Sequence, residues 1–122
     1  MSDIKPLEWI GSSKKDLLAM PQEIRKMIGH SLHLAQIEEE DGDSKPLSGF
    51  GSAKVKEIVK SDSEGTYRGV YTVKFKEAVY VLHVFKKKSK TGIKTPQQEI
   101  DLIKSRLKDA EFLHKSRIED ET

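Results

Sequence analysis

Three strand-like segments, 54–60, 67–75 and 79–88, lie so close together that their connections decide the topology. The first pair is joined by SDSEGT and the second by KEA. Links this short join antiparallel neighbours, because a parallel crossover needs about a dozen residues or more. The central third of the chain therefore predicts an antiparallel meander.

Helical patterns flank it. Pro6-Leu7-Glu8-Trp9-Ile10 reads as a short extended piece closed by Gly11. Ser12 and Ser13 can cap a first helix with Leu17, Leu18 and Met20 on its apolar side, and Pro21 interrupts it. A second helix starts at Pro21, where proline suits a first turn. Its apolar stripe is Ile24, Met27, Ile28, Ser31, Leu34, Ala35 and Ile37. The acidic run 38–43 ends it and reads as a solvated segment, not a metal loop. Thr95-Pro96-Gln97-Gln98 begins a third helix, whose stripe is Ile100, Ile103, Leu107 and Ala110. The expected class is α+β, with two N-terminal helices on a twisted antiparallel sheet and a C-terminal helix. Residues 1–113 form the expected single domain and 114–122 a charged tail, of which only the end, RIEDET, reads as disordered.

At 122 residues the chain can bury one core without staples. No apolar run approaches the ~18 residues of a membrane span. The opening MSDIKPLEWIG does not read as a secretory leader, and the chain has no cysteine for a disulfide or thiolate site. A cytoplasmic protein is the expectation.

Charge is unevenly placed. Residues 54–94 hold eleven basic and four acidic side chains, against six and nine in 1–48 and five and seven in 95–122. The basic middle suggests a polyanion surface, though a solvated face explains the same charges. Pairing Phe75 with Val79 sets Arg68 across from Lys86, and pairing Val59 with Tyr67 aligns the first hairpin. In those registers Val55, Val59, Tyr67, Tyr71, Val73, Phe75, Val79, Val81 and Phe85 share a core face. Lys54, Lys56, Arg68, Lys86 and Lys88 share the other. Five cations on one small face suit an anion between them, while lysines guarding a sheet edge are the plainer explanation.

Few chemistries fit. His30 and His33 lack a third zinc ligand, no HExxH occurs, and His83 reads as a satisfied, partly buried histidine. Gly49-Phe50-Gly51 leads into a strand and is not a nucleotide fingerprint. No cofactor is implied. Cleavage of RNA by its own 2′-hydroxyl needs a base, an acid and positive charge on the phosphorane. Arg68 suits the third role through its permanent charge and planar fork. Clustered lysines lower one another's pKa and so gain a route to proton transfer. The same cluster could simply hold RNA.

The runs LSGFG, KVKEIV, GTYRGVYTVKF, AVYVLHVFKKKSKTG and KTPQQEIDLIKSRLKDA resemble, in this order, the phage-derived HigB-like branch of the RelE/ParE toxin superfamily. The likeness extends from about Leu7 to Ala110. It implies a type II toxin–antitoxin toxin, neutralised by a helix-turn-helix antitoxin, in an assembly up to a heterotetramer. It also implies cleavage of messenger RNA on the ribosome. Arg68 is similar to the family's central-strand arginine, and Lys86, Lys87 and Lys88 occupy the strand end where a second catalytic cation sits. Lys54 and Lys56 resemble the paired lysines of the preceding strand, and Lys90 and Lys94 extend the RNA-binding set. The C-terminal tyrosine of RelE has no counterpart after Tyr80, which leaves the general acid unassigned. ParE-like members share the fold but inhibit DNA gyrase without cutting RNA, and a non-catalytic RNA-binding module would also display a basic sheet.

Overall fold

The computed structural model describes residues 4–40, 42–87 and 95–121. The elements are β1 (Leu7–Trp9), α1 (Ser13–Leu18), α2 (Gln22–Gln36), β2 (Ser44–Pro46), β3 (Val55–Asp62), β4 (Gly65–Thr72), β5 (Val79–Lys87) and α3 (Gln97–Glu121). The class is α+β, as the sequence predicts. One sheet runs in the order β1-β5-β4-β3-β2, with the predicted meander at its centre. It is mixed, not purely antiparallel, because β1 pairs parallel to β5. The short β2 on the other edge carries no strand-like pattern in the sequence; it forms where the chain leaves the acidic run and lies against β3.

Helices cover both faces. Leu17 of α1 and Ile24, Ile28, Leu32 and Ala35 of α2 pack on Ile58, Tyr67, Tyr71, Val79, Val81 and Val84. Ile103 and Ala110 of α3 pack with Val55, Val70, Tyr80 and Leu82 on the opposite face, where Phe75, Phe85 and Leu107 join them. The sheet is thus the middle of three layers. Gly69 lets α2 sit close, since a Cβ there would stand 3.2 Å from Ile28 Cγ2.

Both expected registers are off by one residue or more. The first hairpin closes between Asp62 and Gly65, so Val59 faces Arg68 and Lys60 faces Tyr67. Asp62 Oδ1 accepts the amides of Glu64 and Gly65 at 2.8 and 3.1 Å, and Gly65 takes φ 151, which together make the tight turn. In the second hairpin Arg68 faces Phe85 and Tyr67 faces Lys86, and the register shifts again after Val70. There Val70 faces His83 but Tyr71 faces Val81, leaving Leu82 as the extra residue of a bulge. The predicted single core face is therefore divided. Tyr67, Tyr71, Val79 and Val81 face the N-terminal helices, while Val55, Phe75 and Phe85 face α3.

The expected tail is helix. α3 continues through Arg117-Ile118-Glu119-Asp120 to Glu121 because its last turns have partners. His114 is buried, with Nδ1 3.0 Å from Tyr80 Oη and Nε2 2.8 Å from Glu77, and Arg117 donates to Glu8 at 3.1 Å. The hydrogen bond from His114 holds the Glu77 carboxyl below the usual range, and burial raises the Tyr80 phenol above its own. Arg106 fixes the middle of the helix. Its guanidinium donates to Leu82 O at 3.0 Å and Ser12 Oγ at 3.1 Å, in a space that Gly11 (φ 57) leaves open.

Candidate functional site

Strand alternation settles where the cations go. Arg68 points to the α3 side of β4, and Lys87, two residues beyond Phe85 on β5, follows on the same side. Lys86 points the other way, exposed, with Nζ 5.5 Å from the centre of the Tyr67 ring. Lys56, opposite Tyr71, shares that second face, and Lys54 sits at the turn into β3 with φ 50. Lys88, Lys90 and Lys94 lie outside the described residues. Among the described residues the expected single basic patch is therefore not formed: Arg68 is separated from Lys56 and Lys86 by the sheet itself. The one-residue change in register turns alternate side chains to opposite faces.

What surrounds Arg68 is a compact polar cluster under the start of α3. Arg68 Nη1 donates to Glu57 Oε1 at 2.7 Å, and Glu57 Oε2 accepts from Thr95 Oγ1 at 2.6 Å. Arg68 and Glu57 are only 5% and 8% exposed, so the pair compensates its charges largely without water, and Lys87, 9% exposed, lies on the same sheet face. Charge-assisted bonds of this kind are short and strong, and loss of one partner leaves an uncompensated buried charge. Glu57 and Thr95 open onto a cavity of about 510 Å³ between the 46–49 loop and the first turns of α3. Sequence reasoning passed over Glu57 and read Thr95 only as the start of a helix. The available signal was Glu57 itself, the lone acid within KVKEIVK.

His83 closes the other side of this turn. Its Nε2 bonds Glu99, its Nδ1 lies 3.4 Å from Arg106 Nη1, and its ring stacks on Phe85 at 4.7 Å. Arginine only donates, so Nδ1 is the acceptor and Nε2 carries the proton given to Glu99. Neither nitrogen is left to act as a base, which makes His83 the satisfied histidine that its strand position suggests. The bonds from Thr95 to Glu57 on β3 and from Glu99 to His83 on β5 hold the α3 start across β4, the strand of Arg68. His30 and His33 are exposed on α2.

Such a cluster can position a permanent cation beside a carboxylate and a lysine. Those are the groups that phosphate displacement requires, although Arg68 and Lys87 are nearly closed from solvent in this conformation. No curated protein matches the chain closely enough to count as a relative. The model of the family described as phage derived protein Gp49-like (DUF891) matches residues 15–108, which include α2, the whole meander, Arg68, Glu57 and most of the first half of α3. The chain belongs to this Gp49-like family, a family of RelE-like toxins.

Proposed function

We propose that the chain is the toxin of a type II toxin–antitoxin module, of the HigB-like branch, and that it cuts messenger RNA in a ribosome-dependent manner. The observation that carries this reading is the Arg68–Glu57 ion pair, set beside Lys87 on one sheet face of a RelE-like toxin. In the proposed mechanism Arg68 neutralises the phosphorane oxygens as the 2′-hydroxyl attacks. Glu57 is the candidate base for the 2′-hydroxyl proton, and Lys87 the candidate donor to the departing 5′-oxygen. Lys86 and Lys88 retain candidate catalytic roles at the strand end, and Lys54, Lys56, Lys90 and Lys94 candidate RNA contacts. A helix-turn-helix antitoxin, the ribosome and messenger RNA are the expected partners, in the cytoplasm. Among the described residues no helix is long and apolar enough to cross a membrane.

Because Arg68 and Lys87 are nearly buried, RNA reaches them only when the start of α3 moves off β4. Ribosome dependence then has a physical basis: the ribosomal complex supplies the binding energy that opens the site. The test is purified protein with messenger RNA, alone and on programmed ribosomes. Cleavage on ribosomes only, lost in Lys87→Ala and in an Arg68→Met/Glu57→Met double variant, is the expected result. The double variant removes both charges of the pair and so spares the fold an orphaned ion. Undiminished cleavage by these folded variants removes the mechanism. The burial of the pair also favours a second reading, a ParE-like toxin that acts by binding DNA gyrase. Gyrase-dependent double-strand breaks with intact messenger RNA would mark that activity, and expression without growth arrest would mark a non-catalytic RNA-binding module.

A further inference from the structure

A second cavity, of about 610 Å³, opens on the sheet face opposite Arg68, between the end of α2, the turn into β3 and the far end of β4. Lys5, Lys54 and Lys56 line it together with Glu38, Glu39 and Glu40. The charges balance in number but not in how they are built. Lys5 Nζ lies 3.3 Å from Glu38 Oε1, with the lysine side chain 15% exposed and the glutamate 74%. Lys56 Nζ lies 3.4 Å from Glu40 Oε1, with side-chain exposures of 22% and 43%. Lys5 and Lys56 are thus held in the wall, whereas the carboxylates that pair with them stand mostly in water. Exposed pairs of this kind add little stability, so another anion can take the carboxylates' place.

Two further features point to a built site. Glu38 (φ 62) and Lys54 (φ 50), the non-glycine residues with left-handed backbone among the described residues, both line the cavity. Glu38 does so where it ends α2, its amide bonded to Ala35 O at 3.1 Å. Pro46, Leu47, Tyr71 and Val73 give the cavity an apolar wall. Its volume falls in the range of small-ligand sites. Cations beside an apolar wall suit one nucleotide of a single strand, with phosphate at the lysines and base against the wall.

We propose that this cavity is a second RNA-contact site, in which a backbone phosphate displaces Glu38 and Glu40 from Lys5 and Lys56, joined by Lys54, and the adjoining base rests on the apolar wall. The proposal rests on the RNA-directed reading above, but its site is separate from Arg68. Glu38 and Glu40, at the start of the acidic run, then supply an internal competitor that keeps the free protein from gripping RNA at large.

The test uses a short single-stranded RNA made uncleavable by 2′-O-methylation, bound to the full chain and followed by fluorescence anisotropy over a range of salt. The Lys5→Gln/Lys54→Gln/Lys56→Gln variant is expected to bind about tenfold more weakly, its log–log salt slope shallower by about 0.7 for each phosphate no longer neutralised. Glu38→Gln/Glu40→Gln is expected to bind several-fold more tightly, and methyl resonances of Ala35, Leu47 and Val73 are expected to shift with RNA. A control with the same charge change on α3, Asp109→Asn/Glu119→Gln, is expected to leave binding nearly unchanged. Equal tightening by the control, or lysine variants with wild-type affinity and slope, overturns the site. Cleavage is assayed separately. Loss of the nuclease reading with these binding effects intact would leave an RNA-contact site without chemistry, and cleavage without them would remove this site alone.

Discussion

Arg68 carries its charge where little water reaches it, and Glu57 supplies compensation at 2.7 Å. Arg68→Ala is therefore expected to destabilise the fold by about 3–5 kcal/mol as well as remove activity, because it strands a buried carboxylate. Chemical denaturation of the single variant against Arg68→Met/Glu57→Met checks this; a single variant as stable as the double contradicts it. Gly69 tests packing instead. Its Cβ would meet Ile28 Cγ2 at 3.2 Å, so Gly69→Ala is expected to cost about 1–3 kcal/mol through overpacking of α2. Glu38 should behave in the opposite way. It holds a left-handed conformation at the end of α2, and Glu38→Gly is expected to stabilise by about 0.5–1 kcal/mol, read as a higher denaturation midpoint. These residues also show what the sequence conceals. Arg68 was legible through its permanent charge and planar fork, whereas Glu57 among lysines looks like ordinary charge balance.

At the scale of elements, the stripes of α2 and α3 were legible because each helix buries one side, and Ile24, Ile28 and Ala35 or Ile103 and Ala110 recur with the helical period. The strands gave existence and order but not register. β5 is buried without a break from Val79 to Val84, since helices cover both sheet faces, and a strand buried twice shows no alternation to align. The bulge at Leu82 adds a shift that no pattern announces. α3 was cut short because its last turns are charged. They hold through particular bonds, and one of these gives a pH dependence. His114 holds the Glu77 carboxyl below its usual range, so the folded state favours the ionised form. The stabilisation is present above the unfolded carboxyl pKa and is lost as pH falls through the lower folded value. Thermal melts between neutral and acid pH should show a smaller acid-limb loss for Glu77→Gln than for wild type. Identical pH profiles would contradict the linkage.

For the whole molecule, the three layers separate two polar regions. Arg68, Glu57 and Lys87 lie beneath α3, and Lys5, Lys54 and Lys56 line the cavity on the α2 side. A strand of RNA that engages both must pass around the sheet, which suits a substrate presented by a large partner better than free RNA. The total basic character was visible in the sequence, but its division between two faces depends on a register fixed by one turn and one bulge. The most direct measurement of the central claim is a map of messenger RNA 5′ ends after brief induction in a bacterium, comparing wild type with Arg68→Met/Glu57→Met. New translation-dependent ends that vanish in the double variant are the predicted result. Growth arrest without new ends, or ends that persist in the folded variant, would contradict an Arg68-centred ribosome-dependent nuclease.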